Sequence, residues 1–245
     1  MSYRALFFDL FDTLVLFDRD RLPEVQVNGR TVRSTAGRLH EAFGPWAPDV
    51  GLPAFADALF WSWQEAERIR AETHREVTAP ERLTMLVRRL GLHPDPRGVQ
   101  ALLETHMREL SRAMTFPAHH AALLADLHGR FRLAVVSNFD YTPTARMVLE
   151  REGVADLFDA IVVSDEVGWR KPRPDIFEMA CRRVGVAARD VLFVGDRLDA
   201  DVAGARQVGM GTAWINRPGA AVPDGQRPPD FDIRDLAELR GILGI

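Results

Sequence analysis

The sequence predicts an α/β protein in which a mainly helical region is inserted after the first strand of a parallel sheet. Three observations lead to this prediction. A short apolar run ending in Asp9 opens the chain, the region 17–115 carries helical patterns, and from about residue 116 short apolar runs alternate with helical patterns. Because nearly unbroken apolar strands that alternate with helices are typical of a sheet covered on both faces, we expect parallel strands between helical layers.

The predicted strands after residue 116 are short runs rich in Val, Leu, Ile and Ala: Leu133–Ser137, Ile161–Ser164, Val191–Gly195 and Thr212–Ile215. The predicted helices between them are His119–Leu127, Pro143–Arg151, Pro174–Val184 and Asp201–Val208. The stretch Arg217–Pro229 is rich in proline and glycine, and we therefore expect a surface loop there.

The inserted region is predicted to contain a hairpin followed by helices. Asn28-Gly29 stands between two alternating runs in Val25–Val32, and this pair tolerates the positive φ angles of a tight type I′ turn. The predicted helices are Thr35–Phe43, Pro53–Arg75, Pro80–Leu90 and Arg97–Met114. We expect residues 1–16 and 116–245 to form one discontinuous domain and residues 17–115 to form the inserted one.

The composition excludes several classes of function. A formal net charge of −4 over 245 residues gives no electrostatic reason to expect nucleic acid or a membrane surface as a partner. No apolar stretch approaches the roughly 20 residues that span a bilayer, and Asp9 and Asp12 interrupt the apolar start that a signal peptide needs. The single cysteine, Cys181, excludes an internal disulfide. We expect a soluble cytoplasmic protein, a monomer or homodimer, that acts on a small molecule.

Polar residues follow the predicted strands of the sheet at the point where each strand ends. Asp9 ends the first strand, Ser137-Asn138 ends the second, and Asp196 follows Val191–Gly195. In open parallel sheets, ligands bind beyond the carboxyl ends of the strands, near the point where the strand order reverses. The sequence therefore predicts that these side chains form one functional site.

The same residues resemble the motifs of a known family. Four motifs, in chain order, resemble those of the haloacid dehalogenase superfamily of hydrolases: Asp9 with Thr13, Ser137, Lys171-Pro172, and Gly195-Asp196 with Asp201. The resemblance covers essentially the whole chain. It implies a Rossmann-like three-layer parallel sheet core with an inserted, mainly α-helical cap domain, in which the hairpin near 25–32 would be a flap over the active site.

The resemblance also implies a role for each matched side chain. Asp9 would be the nucleophile that forms a covalent intermediate with the substrate. Ser137 would donate a hydrogen bond to the transferred group, and Lys171 would offset its negative charge. Thr13 and Asn138 are the implied substrate-binding residues.

The implied cofactor is Mg²⁺. Its ligands would be Asp9, the backbone carbonyl of Phe11, Asp196 and Asp201, which together supply the oxygen atoms that this hard cation prefers.

Phe11 departs from the family pattern. The common form reads Asp-x-Asp-x-Thr, and its second Asp protonates the leaving group and then activates water. Phe11 stands in that slot and can do neither, whereas Asp12 occupies the next position. Since consecutive side chains of extended backbone point to opposite sides, we interpret Asp12 as a structural residue of the turn and not as a replacement acid.

This departure leaves three functions open, because general acid–base help is worth about 10²–10⁴-fold. The first is a Mg²⁺-dependent phosphatase of small molecules, restricted to good leaving groups. The second is a 2-haloacid dehalogenase with Asp9 as nucleophile, a branch that commonly lacks the second Asp and needs no metal. The third is a non-catalytic protein that binds a phosphorylated ligand. Asp196 and Asp201 favour the phosphatase, because without a cation their charges would repel a carboxylate substrate.

Other polar residues are interpreted as surface residues. His119 and His120 follow Pro117 at the start of a predicted helix, and we expect both side chains to be exposed to solvent and not to bind a metal. Asp199 lies in the same loop as Asp196 and Asp201, and we expect a surface role for it as well.

Overall fold

The structure, a computed structural model, describes residues 3–245. The chain divides into two compact units. One unit combines the segment that ends at Leu16 with the segment Phe116–Ile245, and the other contains Phe17–Thr115. Each unit is described by itself below.

The strands found in residues 3–245 are β1 (Ala5–Phe8), β2 (Leu16–Phe17), β3 (Glu24–Val27), β4 (Arg30–Arg33), β5 (Met114–Thr115), β6 (Arg132–Ser137), β7 (Ala160–Val163), β8 (Val191–Gly195), β9 (Gly211–Ile215) and β10 (Phe231–Ile233). The α-helices of the same residues are α1 (Ala36–Phe43), α2 (Leu52–Thr73), α3 (Ala79–Arg89), α4 (Pro96–Arg112), α5 (Ala118–Leu127), α6 (Thr142–Arg151), α7 (Ser164–Val167), α8 (Pro174–Val184), α9 (Ala203–Gln207) and α10 (Leu239–Leu243).

The first unit is built on a parallel sheet, which confirms the predicted α/β fold. Within the described residues this sheet has six strands in the order β10-β9-β8-β1-β6-β7. Phe8 at the end of β1 lies opposite Val135 of β6 and Val194 of β8. Since β1 lies between β6 and β8, the residues that follow these three strands are neighbours in space, as the sequence predicts.

The interior of this unit is apolar. All four residues of β1 are buried, as strands covered on both faces must be. Phe7 and Phe193 from the sheet belong to the same buried cluster as Phe177 of α8, and the rings of Phe177 and Phe193 meet edge to face. This packing holds the strand ends in a fixed position relative to α8.

One strand of the sheet was not predicted. Phe231–Ile233 pairs in parallel with β9 at the edge of the sheet, with Asp232 opposite Trp214. The strand is three residues long and follows the proline-rich loop directly, so it has no run of alternating or apolar residues that would predict it.

The second unit contains the predicted hairpin and helices. Strands β3 and β4 pair in antiparallel fashion, and Asn28 and Gly29 at the turn have φ angles of 51° and 74°. These positive values are those that a type I′ turn requires. The side chain of Thr78 caps the start of α3 by accepting a hydrogen bond from the Glu81 amide, and Asp95 caps α4 in the same way.

Within residues 3–245, no helix combines the length and the apolar character needed to cross a membrane.

Candidate active site

The end of β1 carries a buried ion pair. Lys171 Nζ lies 2.5 Å from Asp9 Oδ1 and 2.7 Å from Asp201 Oδ1, and it also donates a hydrogen bond of 2.7 Å to the Val136 carbonyl. The Lys171 and Asp201 side chains are each only 2% exposed. Lys171, the predicted cation, therefore contacts both the predicted nucleophile and a predicted metal ligand, although more than half of the chain separates Asp9 from the other two residues in sequence.

Three carboxylates meet at this point. Asp9, Asp196 and Asp201 each offer an oxygen, and these oxygens all lie within 4.8 Å of one another. The ammonium of Lys171 offsets one of their three negative charges. Buried carboxylates whose charge is not offset must either be protonated or have a cation bound to them.

The pKa values of these carboxyls reflect this crowding. Burial raises the pKa of Asp9, the charge of Lys171 opposes this change and the charge of Asp201 adds to it, and together they bring the pKa to about 6. Burial, followed by the charges of Asp9 and Asp201, raises the pKa of Asp196 to about 7. Burial works against the charged form of Lys171, but the neighbouring Asp201 and Asp9 raise its pKa above the ordinary value.

Gly195 allows Asp201 to enter the site. A Cβ at position 195 would lie 2.3 Å from Asp201 Oδ2, which is far closer than non-bonded atoms approach. The Arg197 amide donates a hydrogen bond of 3.0 Å to the same oxygen. Asp201 lies inside a π-helical turn, Leu198–Val202, that precedes α9, whereas the sequence predicts a regular helix from Asp201 onward. Such wide turns often occur at functional sites.

Asn138 holds the loop that carries Lys171. Its side-chain Nδ2 donates to the Lys171 carbonyl at 3.0 Å, and the Lys171 amide donates to Asn138 Oδ1 at 2.7 Å. The Lys171–Pro172 peptide bond that follows is cis. Both functional ends of the amide side chain are thus engaged with the main chain of Lys171, so Asn138 positions the lysine. Its predicted contact with substrate stays a prediction.

Two hydroxyls at the strand ends have no hydrogen-bond partner among the described residues. Thr13 Oγ1 and Ser137 Oγ are both buried, and both residues are 0% exposed. A buried polar atom without a partner costs about 1–3 kcal/mol, so such atoms are rare and call for a reason. A bound anion that accepts hydrogen bonds from both hydroxyls would remove this cost.

The turn after β1 places Phe11 and Asp12 in different surroundings. The ring of Phe11 is partly exposed and packs against Phe139 at a centroid distance of 4.7 Å. Asp12 is exposed and has a φ angle of 57°, a left-handed conformation that Asp adopts more readily than most residues. Its amide donates a hydrogen bond of 2.6 Å to the Val15 carbonyl. These contacts are those of a residue that shapes the turn.

Arg217 is a contact of this turn that the sequence did not reveal. Its guanidinium donates hydrogen bonds to the carbonyl of Asp12 and, at 3.3 Å, to the carbonyl of Thr13. The residue belongs to the stretch Arg217–Pro229, whose proline and glycine content predicts only a surface loop. No local pattern could have indicated that it holds the main chain next to the predicted nucleophile.

His120 corrects the interpretation of the adjacent histidines as surface residues. His120 is 1% exposed, and its Nδ1 hydrogen-bonds to the Leu14 carbonyl at 2.9 Å. His119 is exposed, as expected. Asp199 is also exposed and pairs with Arg197 at 2.6 Å, which keeps its carboxylate occupied outside the acidic cluster.

The raised pKa values predict how pH changes the stability of the metal-free chain. A carboxyl whose pKa rises from 3.8 unfolded to about 6 or 7 folded keeps its proton longer when folded, so its contribution to stability is lost as pH rises through that range. We expect the free energy of unfolding in urea with a chelator present to fall by on the order of 3 kcal/mol between pH 4 and pH 8 on account of these groups.

A pair of Asn variants separates this effect from other titrations. Asp196→Asn is expected to flatten the dependence between pH 5 and pH 8. Asp199→Asn is the control, because the hydrogen bond from Arg197, despite partial burial, lowers the pKa of Asp199, which titrates below this range. Equal slopes in the wild type and Asp196→Asn would contradict the prediction.

Comparison with known proteins identifies the family of this chain and proteins similar to it. The family model of haloacid dehalogenase-like hydrolases matches residues 3–209. A glyceraldehyde 3-phosphate phosphatase of Methanopyrus kandleri is 32% identical, over 76% of this chain and 79% of that protein. A phosphoserine phosphatase of Thermus thermophilus is 30% identical, over 96% of this chain and 97% of that protein.

Solved structures resemble the fold. A putative HAD-hydrolase of Bacillus subtilis, bound to magnesium, has a TM-score of 0.65 and 24% identity, with both chains covered completely. A 2-haloacid dehalogenase of Pseudomonas syringae has a TM-score of 0.68 and 24% identity, covering 100% of this chain and 99% of that one. At this level of identity, the likeness shows a shared fold and does not distinguish the two reactions.

Proposed function

The chain belongs to the haloacid dehalogenase-like hydrolase family, and on this premise we propose that it is a Mg²⁺-dependent phosphatase of small molecules that forms an aspartyl-phosphate intermediate on Asp9. The observation that carries the proposal is the cluster of Asp9, Asp196 and Asp201 around Lys171. Three carboxylates beside one ammonium suit a cation and a phosphoryl group, and they would repel the carboxylate of a haloacid.

The donor set fits Mg²⁺. Asp9, Asp196 and Asp201 supply only oxygen atoms, and the main-chain carbonyl of Phe11 would complete the set, since any residue in that slot can supply one. When bound, Mg²⁺ would supply positive charge that neutralises the cluster and polarises the phosphoryl oxygens. Gly195 supports this assignment, because only a residue without a Cβ lets Asp201 reach the cluster.

The residues of the chain account for the remaining chemistry. A carboxylate oxygen of Asp9 attacks phosphorus, and the bond from phosphorus to the leaving oxygen breaks with its electron pair going to that oxygen. The buried hydroxyls of Thr13 and Ser137 donate hydrogen bonds to the phosphoryl oxygens, and the positive charge of Lys171 offsets the negative charge of the phosphoryl group. Water then cleaves the aspartyl phosphate, which releases inorganic phosphate and restores the Asp9 carboxylate.

Phe11 narrows the substrates that such a site can use. With no acid in this slot, the leaving oxygen must be stable as an anion or take its proton from water. Aryl and acyl phosphates have leaving oxygens that are stable as anions, whereas alkyl phosphates depend on protonation by water. We expect the missing acid to cost alkyl esters about 10²–10⁴-fold in rate.

One observation favours a second candidate, 2-haloacid dehalogenation. The rings of Phe11 and Phe139 form an apolar contact next to the turn that carries Asp9, and a haloalkyl group would pack against them. In that reaction Asp9 would displace halide from carbon, and the halide would need no proton.

A substrate panel tests the proposal. The full-length chain is assayed with aryl, acyl and alkyl phosphates for phosphate release and with 2-chloro acids for chloride release, each with Mg²⁺ and with a chelator. We expect Mg²⁺-dependent phosphate release, faster from aryl and acyl phosphates than from alkyl phosphates by about 10²-fold or more. Chloride release that does not require Mg²⁺ would overturn the phosphatase proposal, and equal rates for alkyl and aryl phosphates would refute the argument from Phe11.

A further inference from the structure

A second group of potential metal ligands lies outside the active site. His119, His120 and Asp235 each offer one ligand atom, and these atoms all lie within 4.8 Å of one another. His119 Nε2 is 3.2 Å from Asp235 Oδ2, and the two imidazole rings meet edge to face with centroids 4.5 Å apart. The three residues belong to the unit that contains the main sheet.

His120 is oriented in the way that metal-binding histidines commonly are. Its Nδ1 faces the Leu14 carbonyl at 2.9 Å, and since a carbonyl can only accept, Nδ1 must carry the proton. Nε2 is then the nitrogen with a lone pair for coordination. A histidine that ligates through one nitrogen and donates from the other to a carbonyl is fixed in both tautomer and ring orientation. Burial lowers the pKa of His120, which supports the neutral ring.

Asp235 is held in place by an independent contact. Its Oδ1 accepts a hydrogen bond of 2.8 Å from the Ala237 amide, and in this role Asp235 caps the turn Leu236–Glu238. Oδ2 remains on the side of His119. Cap and ligand roles therefore use different oxygens of the same carboxylate.

We propose that His119, His120 and Asp235 bind one divalent transition-metal ion of the Zn²⁺ type. Two imidazole nitrogens and one carboxylate oxygen form a donor set that suits Zn²⁺, Co²⁺ or Ni²⁺ and not Mg²⁺. The His119 and Asp235 side chains are 54% and 47% exposed, so water can take the fourth position of a tetrahedral site.

The movement that binding requires is small. Ligand atoms about 2.0–2.1 Å from a tetrahedral ion are about 3.3 Å apart, and the pair His119 Nε2 and Asp235 Oδ2 already has this spacing. The ligand atoms of the other two pairs are at most 4.8 Å apart, so each pair has to close by no more than about 1.5 Å to reach the tetrahedral spacing.

A metal ion bound to these three residues would connect segments that are far apart in sequence. The ion would link the first turn of α5 to the segment before the turn Leu236–Glu238, and through His120 it would secure the Leu14 carbonyl in the turn after β1. Since the unfolded chain does not bring these ligands together, bound metal should stabilise the fold, and the melting temperature should rise with Zn²⁺ concentration.

The test is calorimetric titration of the full-length, chelator-treated chain with Zn²⁺ in excess Mg²⁺, together with the visible absorption of the Co²⁺ form. We expect His119→Ala and Asp235→Asn to weaken one Zn²⁺ site at least tenfold and to reduce the Co²⁺ absorption. Asn at position 235 keeps the oxygen that caps the turn, so this variant should fold. His93→Ala removes an exposed histidine of the other unit and should bind as the wild type does.

Two results would overturn the proposal. One is that the wild-type chain binds no Zn²⁺ in excess Mg²⁺. The other is that His119→Ala and Asp235→Asn bind Zn²⁺ with the affinity and stoichiometry of the wild type, which would assign any bound metal to the acidic cluster of the active site.

Discussion

Replacing Asp9 with Asn is expected to lower phosphate release at least about 10⁴-fold, the scale of loss when a nucleophile is removed. The amide keeps the shape of the carboxylate but cannot attack phosphorus to form an acyl phosphate. The change also removes one of the two charges that lie against Lys171. The measurement is kcat/KM for an aryl phosphate with saturating Mg²⁺.

Asp12→Asn is the matched control for this variant. It makes the same chemical change three residues further along, at an exposed position whose left-handed φ of 57° Asn also tolerates. We expect its kcat/KM to stay within a few-fold of the wild type. An Asp9→Asn variant that retains a tenth of the activity would remove Asp9 from the proposed role, and a large loss in Asp12→Asn would mean that Asp12 takes part in proton transfer.

Replacing Phe11 with Asp is expected to raise kcat/KM for alkyl phosphates by about 10²–10⁴-fold and to change the value for aryl phosphates little. The new carboxyl would stand two residues after Asp9, where it can protonate a poor leaving group. The ring is partly exposed, so its loss removes the contact with Phe139 without opening a fully enclosed cavity. The ratio of the two kcat/KM values is the quantity to measure.

Phe11→Asn is the control that isolates the proton. Asn has nearly the size of Asp and also removes the ring, but it carries no acidic proton, so we expect no selective gain for alkyl phosphates. If Asn and Asp at position 11 changed the ratio equally, the gain would come from removing the ring, and the account of Phe11 as a missing acid would be wrong.

Local sequence was sufficient for five of the six strands that the structure describes in the sheet, and for the prediction that the candidate site lies at their carboxyl ends. The apolar runs before Asp9, Ser137 and Asp196 mark strands, and parallel strands of one sheet bring their carboxyl ends together. The same reasoning failed for Phe231–Ile233, which is short and becomes a strand only because β9 offers it an edge to pair with. The strands of this sheet that have four or more residues could be recognised in the sequence as apolar runs, and the strand of three residues could not.

Long-range contacts account for what was missed within the site. Arg217 contacts the carbonyls of Asp12 and Thr13, and Asn138 exchanges hydrogen bonds with the main chain of Lys171. Neither partner lies near its contact in sequence, and both contacts use backbone atoms, which every residue has. A pattern of side-chain types cannot indicate a bond to a backbone carbonyl.

The sequence by itself determined the α/β class, the family and the residues of the acidic cluster, because these depend on residue type and order along the chain. Only the tertiary structure decided that Asp9 and Asp201 share the same buried ammonium, that Gly195 is required for this approach, and that His120 is buried beside His119 and Asp235. These facts depend on distances between segments that are far apart in sequence, and such distances are set by how the strands and helices pack.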